Sequence, residues 1–63
     1  MRPPVNPYAE RWKLSKRAAL NARREAFDAA SAGDIGAASE WEHIARTYER
    51  NAAGWLDLAT REA

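Results

Sequence analysis

After Pro7 the chain contains no proline, and one tight break, Gly33-Asp34, divides the stretch from Tyr8 to Ala63 into two near-equal halves. Glycine is the preferred residue for ending a helix in the left-handed conformation, and aspartate is a preferred N-cap for the next. Apolar residues in both halves recur at three-four spacing, and no stretch alternates as a half-buried strand would. These signals predict an all-α fold, an antiparallel two-helix hairpin. Helix 1 is expected over about 7–32, the turn at 33–34 and helix 2 over about 35–60. Asn6-Pro7 supplies the first start signal, a capping side chain followed by a proline whose missing N–H costs nothing in the first turn. The domain reading is therefore an extended N-terminal arm over 1–6 and a helical hairpin over 7–63. Gly36 falls in the first turn of helix 2. Gly54 costs about 1 kcal/mol relative to alanine, so the last turn and a half is expected to loosen or bend.

Placing residues at steps of about 100° shows what each helix offers its neighbour. On helix 1, Tyr8, Trp12, Ser15, Ala19, Ala22, Ala26 and Ala29 form a seam of small residues with two aromatics at its open end. On helix 2, Ala37, Ala38, Trp41, Ile44, Ala45, Tyr48, Ala52, Trp55, Leu56 and Ala59 form a bulkier stripe. Folding about Gly33-Asp34 is expected to set Ala26 near Trp41, Ala19 near Tyr48 and Trp12 near Trp55. Large residues then face small ones, and Trp41, Tyr48 and Trp55 read as core rather than as a ligand box. His43 falls opposite the stripe and should be exposed. Glu42 with Arg46, and Asp57 with Arg61, are i,i+4 pairs in the favourable order, worth a few tenths of a kcal/mol each.

Size and residue types exclude most chemistry. At 63 residues the chain is near the lower limit for independent folding, and with no cysteine it has no disulfide to reinforce it. One histidine and no glycine-rich phosphate loop leave no catalytic set, so no enzyme activity, cofactor, metal or small-molecule substrate is expected. No apolar run reaches membrane-spanning length, and Arg2-Pro3-Pro4 is not followed by a signal-peptide core. The expected compartment is the cytoplasm, without membrane contact.

The near-neutral net charge conceals an asymmetry. Residues 1–24 carry seven basic side chains against Glu10, whereas residues 25–63 carry eight acids against Arg46, Arg50 and Arg61. Such halves neutralise each other, within one chain or between two copies, or attract an external anion. Lys13, Lys16, Arg17, Leu20, Arg23, Arg24 and Phe27 form a strip along one flank of helix 1. Leu20 and Phe27 are its largest mid-helix apolar residues, yet they lie off the alanine seam. The matching flank of helix 2 carries Ile35, Ala38, Glu42, Glu49, Ala53 and Leu56. In an antiparallel pair of right-handed helices these two flanks share one side, apolar in the middle, basic on helix 1 and acidic on helix 2. That pattern is self-complementary under a twofold axis, which predicts a homodimer, a four-helix bundle of two hairpins. The expected function is a non-catalytic protein–protein interaction module, an adaptor or inhibitor of the kind that suits a phage or mobile element. Its target would be another protein, with Leu20 and Phe27 as anchors. The alternative is a nucleic-acid-binding protein, with Lys13, Arg17 and Arg24 on phosphates and Lys16 and Arg23 beside them.

Gly33-Asp34-Ile35 followed by Ala38 and Ala45 resembles the second half of a tetratricopeptide repeat, where small residues let paired helices pack closely. What the resemblance implies is a tight helix pair. Trp41 stands one place before that family's usual aromatic and residues 22–29 lack its large first-helix residues, so no peptide-binding groove is implied. Small secreted WXG-type hairpins share the overall outline, but no Trp-x-Gly occurs at this turn. No family is assigned.

Overall fold

The computed structural model describes residues 6–61 and contains two helices, α1 (Pro7–Ser31) and α2 (Ile35–Arg61), packed as an antiparallel hairpin. Residues 62 and 63 lie outside the described residues. So do residues 1–5, and with them all but Asn6 of the expected arm.

The turn works through two residues that do different jobs. Ala32 keeps a right-handed conformation, and Gly33 then takes φ +83°, the left-handed region where a side chain would be strained. The Gly33 N–H donates to the Ala30 carbonyl at 3.0 Å and the Asp34 N–H to the Ala29 carbonyl at 2.9 Å. This nested pair satisfies carbonyls that the end of α1 would otherwise leave open. Asp34 Oδ1 then accepts from the Ala37 N–H at 3.0 Å and caps the start of α2. One helix is closed and the next opened with no spare residue.

The open end is tied as well. Asn6 Oδ1 accepts from the backbone N–H groups of Tyr8 and Ala9, at 2.9 and 3.3 Å, capping α1. Its Nδ2 donates across the hairpin to the Ala59 carbonyl at 3.3 Å. The Tyr8 and Trp55 rings stack beside it with centroids 6.0 Å apart and planes 21° from parallel. Asn6 with Ala59 and Tyr8 with Trp55 thereby set the register of the two helices.

The core consists of alanine. Ala19, Ala22 and Ala26 from α1 and Ala38, Ala45 and Ala52 from α2 are buried, and Ala45 is fully enclosed at 0% exposure. Among the described residues no large side chain is fully buried. The expectation that Trp41, Tyr48 and Trp55 fill the centre against α1 alanines is therefore corrected. Tyr48 remains 39% exposed, and the two tryptophans are half-buried. Trp55 meets Tyr8 in a stack, where Trp12 was the expected neighbour. The reason is steric. Ala38, Ala45 and Ala52 recur every seven residues and bring the backbones together, and helices in contact through small residues sit at the short end of the ~8–10 Å range. That spacing leaves no room for an indole, so the 41-48-55 column is displaced to the edge.

α2 continues through Gly54 to Arg61. The Asp57–Arg61 pair at 3.0 Å lies in the final turns, and the glycine's cost stays local. The Cα atoms span 51 × 22 × 9 Å with a radius of gyration of 14.8 Å. A compact chain of this length would have about 11 Å. The molecule is a flat plank, one helix thick, with two broad faces.

Candidate interaction face

Helical register places the expected strip residues in columns. On α1, Lys16, Arg23 and Ala30 run beside the seam at intervals of seven. Lys13, Leu20 and Phe27 form the next column outward. On α2, Ile35, Glu42, Glu49 and Leu56 form a single column at the same interval, on the same broad face. Arg23, Ala26, Phe27, Ala30 and Glu42 together line a shallow depression on this face. Arg23 also bonds Glu49 across the two helices. The basic column of α1 and the acidic column of α2 thus stand side by side on one plank face.

The apolar members of this face are open to solvent. Leu20 is 67% exposed, Phe27 72% and Ile35 71%, and Leu56 is also exposed. They alternate along the face with charges that are only partly matched. Lys13 pairs with Glu10 on its own helix at 3.6 Å, and Glu42 with Arg46 at 3.8 Å. Such exposed pairs contribute at most a few tenths of a kcal/mol. Lys16 makes no ion pair among the described residues.

Two of the expected strip residues stand apart from the rest. Arg24 lines a depression on the opposite face with Ala18, Asn21, Ala22, Glu25, Trp41 and Tyr48. A helix turns about 100° per residue, so Arg24 stands well round the barrel of α1 from Arg23. Arg17, seven residues earlier, shares its column. The tight row on the first face is therefore Lys16, Leu20, Arg23 and Phe27.

The second face carries apolar bulk that the stripe analysis assigned to the core or passed over. Leu14, Ile44, Tyr48 and Leu58 are all exposed. Ile44, Asn51 and Leu58 share a heptad column beside Trp41, Tyr48 and Trp55. A column interval of seven was readable in the sequence, but it did not reveal that Ala45 would reach the partner helix and Tyr48 would not.

Enclosed chemistry is not present among the described residues. No group of three His, Cys, Asp or Glu side chains is arranged to hold a metal ion, and no charged or polar side chain is buried. His43 is exposed, as its position opposite the stripe implied. Among the described residues no helix is long and apolar enough to cross a membrane. Comparison of the chain with protein-family models, with curated proteins and with solved structures returned no match.

Proposed function

We propose that this chain is a non-catalytic protein–protein interaction module that acts as a homodimer, a four-helix bundle of two hairpins. The observation that carries the reading is the exposure of Leu20, Phe27 and Ile35 on one plank face while alanine alone fills the seam. The accessible surface is 5157 Å² for a 7.1 kDa chain. A compact monomer of that mass exposes about 4,100 Å². A flat hairpin lacks a second layer, and another copy supplies one. A plank face about 40 Å long and 22 Å wide can accommodate the ~800 Å² per partner of a standard interface. Each large apolar side chain so covered contributes roughly 1.5–3 kcal/mol. The dimer would then present its outer faces, with Tyr48, Ile44 and Leu58, to a target protein as an adaptor or inhibitor.

The experiment is Leu20→Asp combined with Phe27→Asp, read by sedimentation and by helicity. The expected result is a chain of single mass, helical only at high concentration or largely unfolded. An unchanged mass and an unchanged melting curve would remove this face from any self-interface. A second reading rests on Lys16, Arg17 and Arg24, which make no ion pair among the described residues. Salt-sensitive DNA or RNA binding that disappears with Arg17→Glu and Arg24→Glu would support a nucleic-acid role in place of the adaptor reading.

A further inference from the structure

The geometry points to one specific arrangement of the dimer: a twofold axis running along the length of the hairpin, both turns at the same end, and α1 of each copy lying antiparallel on α2 of the other. This inference rests on the dimer reading and adds its direction. Two hairpins meeting through the same broad face have two simple choices of twofold axis, along the helices or across them. The charge columns distinguish these choices.

The levels of the two helices are set by the contacts that tie the open end, Asn6 with Ala59 and Tyr8 with Trp55. In that register Lys16 stands level with Glu49, and Arg23 level with Glu42. Consistent with this, Arg23 and Glu42 line the same depression; the long Arg23 side chain, leaning toward the N-terminus of α1, reaches past that level to bond Glu49, one heptad on. A twofold axis along the hairpin preserves levels and exchanges the helices. It therefore sets Lys16 of one copy over Glu49 of the other and Arg23 over Glu42. Leu20 falls midway between these levels and Phe27 midway between the Glu42 and Ile35 levels, where they enter the gaps of the Ile35-Glu42-Glu49-Leu56 column as knobs enter holes. The result is an alternating arrangement of charge around an apolar centre. Each Arg23 sits among carboxylates from both copies.

An axis across the hairpin gives the opposite outcome. It lays α1 antiparallel on α1, bringing Lys16 of one copy against Arg23 of the other, and α2 on α2, bringing Glu42 of one copy against Glu49 of the other. Like charges set against each other suppress that mode of association. The two arrangements cover the same apolar residues, so the charges alone select between them.

The chain has no cysteine, so single-site labelling needs no background changes. Ser31→Cys places a spin label at the turn, on an exposed residue. Thr47→Cys places one on an exposed residue near mid-length. Pulsed dipolar spectroscopy on the full chain then reads the distance between copies. The Thr47 label reports dimerisation in either arrangement, at about 20–35 Å, roughly two to three helix diameters. The expected Ser31 distance is also about 20–30 Å. A Ser31 distance of about 35–45 Å, twice the rise from mid-hairpin to the turn, with the Thr47 distance short, would overturn the arrangement while leaving the dimer intact. Absence of a defined distance at both sites, with helicity retained, would overturn the dimer itself.

Discussion

Ala45, at the centre of the seam, is wholly enclosed, whereas Phe27, about two turns away along the plank, stands mostly in solvent. The same chain thus uses its smallest apolar residues inside and its large ones outside, the reverse of an ordinary core. Each enclosed alanine methyl contributes about 0.8 kcal/mol, and each covered leucine or phenylalanine would contribute about two to four times that. Six buried alanines therefore stabilise the hairpin by an amount comparable to what four uncovered side chains on one face hold in reserve. On the proposed reading the seam sets the shape and the outer face would set the affinity, so the hairpin would have a defined geometry but little surplus stability until a second copy covers it.

The sharpest way to break the comparison is to put bulk into the seam. Ala45→Leu forces an isobutyl group between two backbones that alanine holds together. It should cost about 3 kcal/mol and abolish most helicity at micromolar concentration, measured by circular dichroism during urea titration. A small effect would mean that the helices separate readily and that close packing does not define the fold. The next effect is at the tied end. Asn6→Ala removes the cap of α1 and the bond to Ala59, for an expected loss of about 1–2 kcal/mol. The same measurement on Asp34→Ala should give about 1 kcal/mol, since that side chain caps α2 alone. Gly54→Ala is the mildest and has the opposite sign. A Cβ there meets nothing within 4 Å, so a gain of about 0.5–1 kcal/mol and a higher melting temperature are expected. A loss at that position would show that something approaches Gly54 closely, as a partner chain would.

The hairpin was legible because its turn is local. Gly33 and Asp34 carry the conformation and the cap in two residues, and Asn6-Pro7 does the same for the start of α1. The placement of the aromatics was not legible. The columns through Ala45 and Tyr48 lie only about 60° apart on α2, and periodicity alone credits both to one stripe. Only the close approach of two backbones separates them, and that is a property of the pair rather than of either helix. The stack of Tyr8 on Trp55 depends on register in the same way. The outer face was partly legible, because Leu20, Phe27 and Ile35 stood off the seam and the stripe in the sequence. Arg17 and Arg24 were placed on the same flank, although their angle on α1 carries them to its outer edge, where Arg24 lines a depression with Trp41 and Tyr48.

The central claim is that a plank with an alanine seam and a bare apolar face is half of a folded unit. Sedimentation equilibrium of the unmodified chain over a dilution series, with helicity followed in the same samples, tests it most directly. Twice the 7.1 kDa chain mass is expected at micromolar concentration, with a loss of helicity in step with the loss of mass on dilution. A single-chain mass throughout, with helicity undiminished, would contradict it.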